Sequence, residues 1–160
     1  MKNSLPASSY YIHRACFSAL TLEQFYQVAQ LRQDVFILEQ QSIYSDLDGL
    51  DQQAMHFLCF PAQQPDAQLV GYARYRQGHQ AHEFKIERVV LAKAARGTGL
   101  GKRLMQTLLG DIQQQCPKPL ISLSAQLDAQ AFYQLLGFVA QGDSYDDGGI
   151  EHITMHWDGK

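Results

Sequence analysis

Basic stretches are missing from this chain: 13 Lys and Arg stand against 16 Asp and Glu, the formal charge is -3, and no cationic run exceeds Lys102-Arg103. A nucleic-acid binder neutralises phosphates with a basic face, so this balance argues against that class of partner. Long apolar runs are missing too. Nowhere do eighteen apolar residues follow one another, and the start of the chain, with Lys2, Leu5, Pro6 and Ser8, holds no run long enough for a signal peptide. Neither a membrane partner nor export is therefore expected. Cysteine is scarce: Cys16, Cys59 and Cys116 are odd in number, far apart and in no Cys-x-x-Cys pair. That pattern suits reduced thiols in a cytoplasm, with Cys59, inside an apolar run, reading as a small core residue. Metal-ligand spacing is absent as well: His79 and His82 fall in a turn region, His152 and His156 share a strand face, and no Cys or carboxylate joins them in a recognised ligand spacing. No metal site is expected.

What is present suits a globular protein. A length of 160 residues and an apolar fraction of 46% fit one domain, residues 1–160, with 1–9 polar and loose. Tyr10 to Cys16 reads as a first strand, and Thr21 with Gln24 as a capping box that starts a helix through Leu22, Phe25, Tyr26, Ala29 and Val35 or Phe36. Gln40 to Gln53 is a long polar connection around Tyr44, the kind of loop that binds. Strands follow at His56 to Phe60, Gln68 to Gln77 and Glu83 to Leu91, with a turn over 61–66; the short connections make an antiparallel meander. A helix from about Gly99 to Gln115 ends at Pro117 and Pro119 and leads into Ile121 to Ala125, a strand parallel to the one before it. Asp128 is placed to cap a helix running to Leu136, and Phe138 to Gln141 and His152 to His156 read as strands around a loop at Asp143 to Gly149. The fold class is mixed α/β. Two acidic groups, Asp46, Asp48 and Asp51 and then Asp143, Asp146 and Asp147, read as solvated loop charges or as a wall attracting a cationic amine.

The pattern changes from strand to helix within Ile86 to Leu109, and Arg96-Gly97-Thr98-Gly99-Leu100-Gly101 lies at the change. Glycines at alternate positions let a ligand approach main-chain amides that also open a helix, an arrangement suited to phosphate. A P-loop is disfavoured because Arg96 occupies its first Gly position and Arg103 follows Lys102. A dinucleotide fingerprint is disfavoured by the glycine spacing and its distance from the strand. A tight turn without a ligand remains the simpler alternative.

The same six residues fill the acetyl-CoA motif Arg/Gln-x-x-Gly-x-Gly/Ala of the GCN5-related N-acetyltransferases, which the chain resembles. Ala125 to Phe138 resembles the later motif ending in Phe-Tyr-x-x-x-Gly-Phe, with Gln126 where many members have Asn. Leu31 to Gln40 and Gly149 to Met155 resemble an ElaA-like bacterial subgroup, and the likeness runs from about Leu22 onward. It implies a mostly antiparallel sheet with one parallel pair that splays to hold CoA, and helices on both faces. It also implies acetyl-CoA as cosubstrate and transfer of acetyl to a small-molecule or protein amine by direct attack in a ternary complex.

If acetyl-CoA lies in that splay, the amides of Arg96, Gly97, Thr98, Gly99, Leu100 and Gly101 take the pyrophosphate, with Arg96 and Lys102 as further phosphate contacts. The edge of Val89, Val90 and Leu91 pairs with the pantetheine. The resemblance nominates Tyr133 as proton donor; a packed core tyrosine is the alternative. Glu87, two positions before Val89 and on its face, is the candidate base, with an ion pair to Arg74 or Arg88 as its alternative role. His152 is the second candidate base, since imidazole titrates near neutrality. Glu39, Tyr44, His56, Arg74 and His152 are the candidate acceptor contacts. A non-catalytic acyl-CoA-binding regulatory module and a plain interaction domain are the competing functions. A homodimer is the default if the chain associates.

Overall fold

The Thr21 hydroxyl accepts from the Gln24 amide while the Gln24 side chain returns to the Thr21 amide, so the capping box forms and starts α1 (Leu22–Arg32). Helical winding then continues as a π-helix over Gln33–Glu39. Such wide turns are rare and gather at functional sites. In the computed structural model, which describes residues 6–62, 64 and 67–159, a 3₁₀ turn at Ala7–Ser9 and strand β1 (Tyr10–Cys16) precede the helix. Strands β2 (Ala54–Pro61), β3 (Gly71–Gln77) and β4 (Glu83–Leu91) form the expected antiparallel meander. Helix α2 (Leu100–Gln115) crosses to β5 (Leu120–Gln126), which lies parallel to β4. Helix α3 (Gln130–Gln134) then leads into the hairpin of β6 (Phe138–Asp147) and β7 (Ile150–Trp157).

One seven-stranded sheet results, in the order β1-β2-β3-β4-β5-β7-β6. Consecutive strand residues point to opposite faces, and Phe57 and Leu58 accordingly enter different cores. Phe57 packs with Leu104, Leu108 and Ile112 of α2, and Leu58 with Val28, Leu31 and Phe36 of the first helical segment. Helices thus cover both faces. Each fully buried leucine on α2 contributes roughly 1.5–3 kcal/mol by leaving water.

The parallel pair is short. Glu83 to Ile86 register with Leu120 to Leu123, after which the strands part and β5 continues against β7 alone. The implied splay is present.

Several boundaries differ from the sequence reading. The second meander strand starts at Gly71 rather than Gln68. Asp128 sits in a 3₁₀ turn, and α3 begins after Ala129 with no side-chain cap. Asp143 to Gly149 is not a loop, because β6 runs to Asp147 and the reversal needs only Gly148 and Gly149, both at positive φ (65° and 83°). The hairpin is exposed there, so its polar residues show no apolar alternation to betray a strand. The looseness expected for 1–9 and the turn expected at 61–66 fall in part outside the described residues, at 1–5 and at 63, 65 and 66.

Candidate active site

Strand β4 is irregular where it parts from β5. Tyr72 faces Val90 and Arg74 faces Glu87, so Arg88 and Val89 together oppose Ala73 alone. Two residues against one make a bulge, and Arg88 adopts φ +58°, a conformation costing a bulky side chain on the order of 1–3 kcal/mol. Contacts hold it there: Arg88 Nε lies 2.9 Å from Asp46 Oδ1, Nη2 lies 3.2 Å from Asp48, and the guanidinium stands 5.3 Å over the Tyr44 ring. Beside the bulge, the β4 edge lines a cavity of about 790 Å³ between the parted strands.

At one end the cavity meets the glycine-rich turn. Gly97 and Gly99 have φ +74° and +84°, and Gly99 is the N-cap of α2. The Thr98 hydroxyl donates to the Ala95 carbonyl and accepts from the Leu100 amide; the Leu100 side chain is fully buried. Neither residue reaches the cavity, whereas Arg96, Gly97, Gly99, Gly101 and Lys102 do. First-turn amides have no partner within their own helix, so those of Gly101 and Lys102 are donors for an anion. A Cβ at Gly101 would lie 3.3 Å from Leu91 and 3.5 Å from Phe132, which explains why this position stays bare. Arg96 bonds Leu91 O at 3.1 Å and holds both oxygens of Glu39, at 2.5 and 3.0 Å. Glu39 therefore lies beside the glycine turn, not on the acceptor side, because the π-helix carries it over that turn.

Tyr133 and His152 face the same space. The Tyr133 ring packs edge-on against Phe132 and Phe138, at 5.1 and 6.0 Å, while its hydroxyl has no hydrogen-bond partner among the described residues. Burial alone pushes the phenol up, so it stays protonated. His152 Nδ1 lies 2.7 Å from Ile150 O. A carbonyl only accepts, so Nδ1 carries the hydrogen and the neutral ring keeps its lone pair on Nε2.

Under the 40–53 loop lies a charge cluster that the sequence reading missed. Arg32 and Arg74 are wholly buried, and Asp51 Oδ1 accepts from both, at 2.7 and 2.6 Å. Asp46 takes Arg32 and Asp48 takes Arg74, so the first acidic group is neither solvated nor an amine-attracting wall. The spacing Asp46-x-Asp48-x-x-Asp51 was visible, but its partners are 14 to 42 residues away. His56 is buried with Nδ1 at Tyr72 OH and Nε2 at Asp51 O, and burial lowers its pKa. Arg74 and His56 consequently support the loop and do not line the cavity. Tyr44 does line it. Glu87 also borders the cavity, but Oε2 accepts from Arg74 and Arg76, and Oε1 from Arg76. Burial raises its pKa, yet Arg76 and Arg74 outweigh it and hold the carboxyl below its ordinary value. The ion-pair role left open by the sequence is the geometry found.

Two contacts bridge the cavity from the loop, one to the end of β5 and one to the hairpin. Gln40 and Gln126 exchange reciprocal amide hydrogen bonds, at 3.3 and 2.9 Å, and Ser42 Oγ donates to Gly148 O at 2.6 Å. Among the described residues, no group of three His, Cys, Asp or Glu side chains is placed to hold a metal, and no helix is long and apolar enough to cross a membrane.

A splayed parallel pair whose first strand is bulged, with a glycine turn opening a helix at the end of the gap, is an arrangement suited to an acyl-CoA, and relatives of the chain are acyltransferases. Residues 18–158 match the acetyltransferase (GNAT) domain model. The chain is 37% identical over 140 residues to a UPF0039 protein of Synechocystis (87% of this chain, 89% of that one), and 36% identical over 141 residues to Protein ElaA of Escherichia coli (86% and 90%). The crystal structure of Escherichia coli ElaA superposes with TM-score 0.84 at 32% identity, covering 93% of this chain and 99% of that one. An acyl-CoA N-acyltransferase from Pseudomonas aeruginosa does so with TM-score 0.83 at 35% identity and the same coverage. The chain belongs to the GNAT family, in its ElaA-like branch.

Proposed function

We propose that the protein is an N-acetyltransferase that moves the acetyl group of acetyl-CoA to a primary amine by direct attack in a ternary complex. The observation that carries this is the unpaired, bulged edge of β4 running from Tyr133 to the bare amides that start α2. Acetyl-CoA supplies a thioester carbonyl and a thiolate leaving group. Gly101 and Lys102 offer N–H groups to the pyrophosphate, and Lys102, with no ion pair among the described residues, adds a free cation. Val89, Val90 and Leu91 offer the strand edge to the pantetheine amides. The amides of the Arg88-Val89 bulge are assigned to the oxygen on which negative charge develops. Tyr133 holds a proton at its hydroxyl for the departing sulfur. His152 Nε2, rather than the ion-paired Glu87, takes the proton of the attacking amine.

Two results check the binding and base assignments. Gly99→Val places a β-branched residue at φ +84°, where its Cβ meets only Ala7 at 3.6 Å. The side chain has room, so the chain should stay folded at some cost in stability, while the turn moves to relieve the strain and acetyl-CoA affinity falls by about tenfold in a calorimetric titration, about 1.4 kcal/mol. Full affinity in the folded variant would contradict the cradle. His152→Gln should reduce kcat/KM by roughly 10²-fold for ordinary alkylamines. The loss should shrink for weakly basic amines, which arrive already neutral; an equal loss with both would remove His152 from proton transfer.

A further inference from the structure

We infer that the acceptor is an extended amine ending in a carboxylate, and that Lys85 receives that carboxylate. This rests on the amine acetylation proposed above and names the substrate class of the same site. Lys85 and Glu87 on β4 alternate onto one sheet face with Ser122, Ser124 and Gln126 of β5. Toward β7, Tyr145 covers part of that face, its hydroxyl bonded to Ser124 and Thr154 and its ring stacked on His152; beyond it Ser122 is partly exposed and His156 exposed. At the upper end, the Gln40–Gln126 and Ser42–Gly148 bonds close the route across the face. At the lower end a second cavity of about 560 Å³ begins, and Lys85 lines both. An acceptor thus reaches Lys85 through the first cavity, which His152, Ser124 and Lys85 all line.

The charges give that path a sign. Arg32, Arg74, Arg76, Arg88 and Lys85 share one network with only four carboxylates, those of Asp46, Asp48, Asp51 and Glu87. Lys85 is the cation left over: its side chain is 51% exposed, and its Nζ stands 3.9 Å from Glu87 Oε1, an oxygen already bonded to Arg76. Glu83, the carboxylate of the second cavity, accepts from the Gln80 amide. Asp147 lies at the bridged end, the sign that suits the acceptor's ammonium. A zwitterion is therefore oriented with its amine toward His152 and its carboxylate toward Lys85.

Length follows from strand geometry. Lys85 precedes Val89 by four residues, but the bulge sets Arg88 and Val89 against Ala73 alone, so the span is about three strand rises, or about 10 Å, part of which the lysine side chain spans. A free α-amino acid is too short for the rest, whereas a di- or tripeptide, at about 3.3–3.6 Å per residue, fits.

The test compares glycine, diglycine and triglycine with their C-terminal amides as acceptors, following thiol release by wild type, Lys85→Gln and Lys85→Arg. With wild type, triglycine should have a KM about tenfold below that of triglycinamide with similar kcat; Lys85→Gln should abolish the gap and Lys85→Arg keep it. Equal KM values in wild type, or a gap that survives in Lys85→Gln, would overturn the inference and leave acetyl transfer standing. So would acetylation of other amines but of no peptide. Acetylation of no amine of any kind would overturn the proposed function and this inference with it.

Discussion

Tyr133→Phe should lower turnover by about 10²-fold to 10⁴-fold while leaving stability and acetyl-CoA affinity nearly unchanged. The ring does the packing, against Phe132 and Phe138, and the substitution keeps it. Only the hydroxyl is lost, and that hydroxyl makes no hydrogen bond within the described chain. Because burial pushes the phenol up, Tyr133 keeps its proton until the breaking C–S bond puts negative charge on sulfur. A thioester with a better leaving group needs that proton less and should recover part of the lost rate. Turnover of both donors by wild type and variant decides the matter. Equal losses would assign Tyr133 to positioning, and no loss would return it to the core.

Asp51→Ala should destabilise the protein by about 3–5 kcal/mol, the usual cost of stranding a buried charge. One carboxylate oxygen of Asp51 serves both Arg32 and Arg74, neither of which is exposed, so removing it leaves two guanidinium groups short of a partner. Denaturant unfolding measures this, and a loss below about 1 kcal/mol would mean that the cluster behaves like a surface pair. Acid reads the same cluster. Burial pushes the Asp48 carboxyl up, but hydrogen bonds from Arg74 and the Leu50 amide prevail and hold it at about 2. A carboxyl depressed in the folded state contributes stability that is complete above its ordinary value and is lost as pH falls through about 2.

The parts of the structure legible in the sequence are those coded by neighbours. Thr21 and Gln24 are three positions apart and their capping box formed as read. Ile86 to Leu91 is rich in apolar strand formers and Leu100 to Leu108 carries the helix period, and the short meander connections settled the strand directions. Features that depend on distant partners were not legible. The bulge at Arg88 is held by Asp46 and Asp48, 40 or more residues earlier. The Gln40–Gln126 bridge spans 86 residues. Side chains in such contacts have no local signature, so Arg74 and His56 read as acceptor contacts when their chemistry faces inward. The π-helix shows the same limit: Val35 and Phe36 announce a buried helical face, but not the wider turn that carries Glu39 to Arg96.

The most direct test of the central claim is to incubate the protein with acetyl-CoA and a panel of primary amines, the short peptides included, while measuring free thiol and N-acetyl product together. The expected result is one thiol released for each N-acetylated amine, dependent on both substrates. Saturable acetyl-CoA binding with no acetyl transfer to any amine would contradict it and leave a non-catalytic acyl-CoA-binding module.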